Sequence, residues 1–267
     1  MDWDAAYSNV DAVANSDVYP PRWAAAGAAF RAKATRAHLD IAYGTAPREK
    51  LDLFLPESTP IGLAVFVHGG YWRRFEKESY SQVAAGALAH GWAAAVVGYT
   101  LCPEIRISGI TAQVGAAIAC AAQEVAGPIR LAGHSAGGHL VSRMACQDGP
   151  LPANVAGRLE HVLTISGLHD LRPLLRLEIN EILGLDADEA TAESPALSEP
   201  LPGTCLTAWV GDAELPEFVR QNALIANIWT GFGAETQVVE DTRRTHFDVI
   251  EGLSDPTSPI TAAWLGL

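Results

Sequence analysis

Nucleophilic chemistry in this chain is best served by a serine set between two glycines, Gly133-His134-Ser135-Ala136-Gly137. The residues before it, Ile129 to Ala132, form a short apolar run, and Leu140, Val141, Met144 and Ala145 follow at helical spacing. A strand, a sharp turn and a helix are expected, the context in which Gly-x-Ser-x-Gly presents a serine as nucleophile. The turn is predicted to strain the backbone at Ser135, and Gly133 and Gly137 leave room where a Cβ would clash. The N-terminus of the helix behind Ser135 favours developing negative charge.

A serine nucleophile needs a base, an orienting acid and amides for an oxyanion. His246 is the histidine placed to be the base, on the loop after the last strand-like run. His161 and His169 come too early, and His134 and His139 flank the serine itself. The acid is expected after the run ending at Val210, where Asp212, Glu214 and Glu217 stand. Glu217 falls inside the helix that Pro216 starts, which leaves Asp212 and Glu214. Open amides are expected from His68-Gly69-Gly70-Tyr71-Trp72, after the apolar run Gly62 to Val67, with the N–H of Ala136 completing the set.

These residues need a scaffold that gathers loops at one sheet edge. Strands are expected at 39–43, 50–55, 62–67, 92–99, 129–132, 162–166, 205–210 and 236–239. Helices are expected at 22–36, 78–90, 110–125, 216–232 and 259–265, besides the one after Ser135. Such alternation predicts an α/β fold, a mostly parallel central sheet with helices on both faces. Residues 170–202 break the alternation and predict a helical, cap-like excursion over the site. The N-terminal 36 residues, with Tyr7, Tyr19, Trp23 and Phe30, are expected to serve ordinary packing.

At 267 residues the chain suffices for one large domain, 1–267. A net charge of −13 argues against nucleic acid or an anionic membrane as partner and leaves a small-molecule substrate. The start, Met1-Asp2-Trp3-Asp4, lacks signal-peptide character, so a cytoplasmic protein is expected; its oligomeric state is left open, with a homodimer as the candidate. Cys102, Cys120, Cys146 and Cys205 are scattered and expected to be buried reduced thiols. No H-E-x-x-H or comparable ligand cluster is present, so neither metal nor cofactor is expected.

The motifs together resemble a known family, the α/β-hydrolases of the hormone-sensitive-lipase-like group, and within it the kynurenine formamidase (arylformamidase) branch. The likeness rests on His68-Gly69-Gly70-Tyr71-Trp72, Tyr99-Thr100-Leu101-Cys102-Pro103 and the segment around Ser135. It extends to Ser166-Gly167-Leu168-His169-Asp170-Leu171, the stretch Gly211 to Phe218, and His246-Phe247. It implies a triad of Ser135, Glu214 and His246, with oxyanion amides from Gly70, Tyr71 and Ala136. Glu214 stands where many relatives have aspartate, and His169 where an aromatic residue is common. The implied reaction is hydrolysis of an aryl formamide such as N-formylkynurenine; the alternative is a carboxylesterase for small short-acyl esters. Tyr71, Trp72 and Phe247 are expected beside the leaving group. Two arginine pairs, Arg73-Arg74 and Arg243-Arg244, are expected to be solvated, or else to attract a carboxylate on the substrate.

Overall fold

Alternating apolar runs and helical stretches produce one sheet, covered on both sides. A computed structural model describes residues 2–267. Its strands are β1 (Ala37–Ala42), β2 (Lys50–Phe54), β3 (Leu63–Val67), β4 (Ala93–Val97), β5 (Ile129–His134), β6 (Leu159–Ile165), β7 (Cys205–Gly211) and β8 (Glu235–Asp241). They form an eight-stranded sheet in the order β1-β2-β4-β3-β5-β6-β7-β8. β1 and β2 pair antiparallel, as do β2 and β4, and every other pairing is parallel.

The central strands explain their own composition. Every residue of β3 and β4 is buried, because helices cover both faces and leave no polar side. Leu63, Val65 and Val67 belong to one core cluster, whereas Ala64 and Phe66 belong to the other. The outermost strand β8 is largely exposed and carries Glu235, Glu240 and Asp241, charges that discourage edge pairing with another chain.

Parallel order brings the C-terminal ends of β3, β5, β6 and β7 to one edge of the sheet. The loops leaving them carry Gly70, Ser135, Ser166 and Glu214. Ligands bind at this edge in open α/β sheets, since the loops there converge on one crevice.

Two expectations need correction here. The stretch 78–90 is a 3-10 segment, Lys77–Val83, followed by a short α-helix, Ala84–Ala89. Its start is set by Lys77, which is buried and donates to Asp52 at 2.8 Å and to Asp40 at 2.7 Å. Arg31 also bonds Asp52, so helix Tyr19–Lys33 is tied to β2 through a buried carboxylate. That tether fixes the position of Trp23. The N-terminal segment also does more than pack, as described below.

The excursion at 170–202 holds two short α-helices, Asn180–Leu183 and Ala187–Ala192, between 3-10 turns. No helix among the described residues is long and apolar enough to cross a membrane. All four cysteines are free thiols, with Cys102 and Cys146 buried and Cys120 and Cys205 half-buried.

Candidate active site

Between β5 and helix Ala136–Met144 the chain turns at a single residue. Ser135 has φ 57° and ψ −118°, a backbone conformation that a side chain disfavours. The close approach around it demands glycine: a Cβ on Gly137 would overlap the carbonyl oxygen of Val67. The Ser135 amide donates to the Ile165 carbonyl at 2.8 Å, which fastens the turn to the end of β6.

Beside β5, the loop after β3 is wound into left-handed geometry, with φ 107° at Gly70, 49° at Tyr71 and 54° at Trp72. A Cβ on Gly70 would stand 2.5 Å from the Arg74 carbonyl oxygen, so only glycine fits. The amides of Gly70 and Tyr71, and that of Ala136 at the helix start, have no protein acceptor among the described residues. Tyr71 is anchored at its far end, where its hydroxyl donates to the Tyr7 carbonyl at 2.6 Å.

Glu214 and His246 meet. Nδ1 of His246 lies 2.7 Å from Oε2 of Glu214, and both side chains are almost wholly buried. The other oxygen, Oε1, accepts from the Gly211 amide at 2.9 Å and from the Ser166 hydroxyl at 2.5 Å. Asp212 lies elsewhere: it is exposed and accepts from the Arg243 amide at 2.6 Å. Glu217 pairs with Tyr7 and Arg220 instead. His134 holds the histidine loop from the other side, donating from Nε2 to the His246 carbonyl at 2.8 Å. Burial, and then the neighbouring His246, hold the pKa of His134 well below the usual imidazole range, so its ring is neutral.

Ser135, His134 and His246 line one cavity of about 720 Å³, which also takes in Gly70 and Tyr71. Ser135 and His246 are not hydrogen-bonded to each other, a contact that often tightens only with substrate in place. A serine beside a carboxylate-held imidazole and open amides can carry out acyl transfer.

The remaining wall is aromatic on one side and carries carboxylates, among them Asp4, Asp11, Glu178 and Glu181, on another, and it corrects the sequence expectation. Phe247 lines it, whereas Trp72 does not. Trp72 is fully buried in the core, its indole N–H donating to His139 Nδ1 at 3.3 Å. The loop's left-handed turn sends Trp72 inward and leaves Tyr71 facing the cavity. Trp23, Phe75 and Tyr80 take the place foreseen for Trp72; Trp23 stacks on Phe247 with ring centroids 6.1 Å apart. Tyr7 and Trp23 come from the N-terminal segment, which therefore builds part of the cavity.

The arginine pairs separate. Arg73 and Arg74 line the cavity, and neither is within ion-pair distance of a carboxylate among the described residues. Burial and the adjacent Arg74 lower the pKa of the half-buried Arg73. Arg243 and Arg244 lie outside the cavity wall, Arg244 pairing with Asp248.

Sheet and site together define a hydrolase of the α/β type. A family model described as BD-FAE matches residues 51–173. A kynurenine formamidase of Danio rerio is 28% identical over 236 residues, covering 85% of this chain and 80% of its own. Among solved structures, a Silicibacter sp. TM1040 protein assigned provisionally as a thioesterase is 48% identical, with a TM-score of 0.95 and 99% of each chain covered. An esterase of Pyrobaculum calidifontis shares the fold at 16% identity, with a TM-score of 0.71 over 99% of this chain and 97% of its own. The chain has the α/β-hydrolase fold and resembles the BD-FAE family over residues 51–173 and the kynurenine formamidases over most of its length.

Proposed function

We propose that this hydrolase cleaves an aryl formamide such as N-formylkynurenine by acyl transfer through Ser135. In this reading His246 Nε2 takes the proton from Ser135 Oγ as Oγ attacks the formyl carbon. Glu214 keeps the proton on Nδ1 and stabilises the imidazolium that forms. The amides of Gly70, Tyr71 and Ala136 hold the oxyanion. The C–N bond then breaks, and the imidazolium gives its proton to the departing arylamine nitrogen. A water, deprotonated by His246, attacks the formyl-enzyme, releases formate and restores Ser135. The excursion at 170–202 acts as a small cap within a single-domain enzyme, since Leu177, Ile179 and Ile182 face the cavity.

The observation that carries the formamide reading is the aromatic part of the wall around Ser135, supplied with the guanidinium of Arg73, which pairs with none of the carboxylates on the same cavity. Trp23, Phe75, Tyr80 and Phe247 suit a flat arylamine. Arg73 suits a carboxylate on the leaving group, and a charge-assisted contact of that kind amounts to about tenfold to a hundredfold in kcat/KM. N-Formylkynurenine is therefore expected to exceed the neutral formanilide by about that factor. Arg73→Ala should collapse the ratio, whereas Arg243→Ala and Arg244→Ala, outside the cavity, should preserve it.

A second reading, cleavage of a small ester or thioester, is favoured by the 48% identity to the protein provisionally assigned as a thioesterase. Kinetics on N-formylkynurenine, p-nitrophenyl acetate and a short acyl thioester, measured side by side, separate the two. Ready turnover of ester or thioester with N-formylkynurenine left intact establishes the second reading.

A further inference from the structure

One buried residue at the end of β6 has no part in the reaction scheme, yet its geometry is costly. Ser166 is fully buried and has φ 51°, in the left-handed region where glycine is at ease and other residues are not. Its amide donates to the Trp209 carbonyl at 2.7 Å, so the conformation is locked between β6 and β7. The carbonyl just before it, that of Ile165, receives the Ser135 amide. Its hydroxyl donates to Glu214 Oε1 at 2.5 Å. Two adjacent residues thus touch both the serine turn and the carboxylate. A glycine at this position satisfies the backbone; it does not supply the hydroxyl.

We infer that Ser166 is a positioning residue for the acid: with the Gly211 amide it fixes Glu214 Oε1, so that Oε2 is held against His246 Nδ1. The inference rests on the reading of Glu214 as the acid that orients His246. A glutamate has one more rotatable bond than an aspartate, and its carboxylate can swing away from the imidazole unless its second oxygen is tied. A hydroxyl donating to a carboxylate is among the stronger neutral-to-ion hydrogen bonds, and burial of both groups keeps water from replacing it. The strained backbone at Ser166 is maintained by the Trp209 contact and places that hydroxyl.

The test separates rate from stability. Ser166→Ala and Ser166→Gly are both expected to lower kcat by about tenfold to a hundredfold with KM nearly unchanged, since substrate binding does not involve the hydroxyl. Of the two, the glycine variant should melt at the higher temperature, because it relieves the left-handed backbone. Activity thus follows the hydroxyl while stability follows the backbone, a split that a purely structural serine does not produce. The double variant Ser166→Ala/Glu214→Gln should be no slower than Glu214→Gln alone, since the hydroxyl acts only through that carboxylate. Near-wild-type kcat in both single variants overturns the inference, as does a full additional loss in the double variant. If Glu214→Gln itself is near wild type, the reading of the acid fails instead, and the two failures are distinguishable.

Discussion

Ser135→Ala is expected to lower kcat by up to about a millionfold while the protein stays folded. The hydroxyl is the only part of the side chain removed, and alanine fills the same buried turn with φ 57° at little further cost. The residual rate should remain above that of water, because the open amides of Gly70, Tyr71 and Ala136 still stabilise an oxyanion. Steady-state rates with thermal unfolding on the same samples check both halves. Activity within tenfold of wild type at full folding removes Ser135 from the chemistry.

The second large effect concerns the acid. Glu214→Gln is expected to lower kcat by about a hundredfold or more, since the imidazolium loses its counter-charge and the ring its fixed tautomer. Asp212→Asn should be mild, because Asp212 is exposed and serves only the Arg243 amide. Parallel pH–rate profiles of the two variants measure this. A severe Asp212→Asn beside a mild Glu214→Gln transfers the role to Asp212. A chelator should leave the wild-type rate unchanged, since no step in the scheme uses a metal.

The sheet and the loops around Ser135 were legible because they rest on local signals. Continuous apolar runs such as Leu63–Val67 arise only where both faces are covered, and Gly133 to Gly137 encodes a turn that few other residues permit. Glu214 and His246 were foreseeable from their places after β7 and β8, although the choice against Asp212 leaned on a family likeness. What the sequence hid is what depends on distant packing. Trp23 reaches the cavity because Arg31, two turns further along its helix, bonds the buried Asp52, and no periodicity announces that. Trp72 was misplaced because its direction depends on left-handed angles at Gly70 and Tyr71, and residue type does not reveal those at the tyrosine. Ser166 lay within a motif noted for its likeness to relatives, yet only the 2.5 Å contact with Glu214 gives its hydroxyl a purpose. One cue was available: it ends a strand at the edge of the sheet where loop residues gather.

Central to the proposed mechanism is that Ser135 itself carries the formyl group of an aryl formamide. Its most direct test is titration with a fluorophosphonate, following label stoichiometry and site by peptide mass spectrometry alongside N-formylkynurenine turnover. One label per chain, on Ser135, is expected to be incorporated in step with the loss of that turnover, and Ser135→Ala is expected to take up none. Enzyme fully labelled at Ser135 that still hydrolyses N-formylkynurenine at its original rate contradicts it.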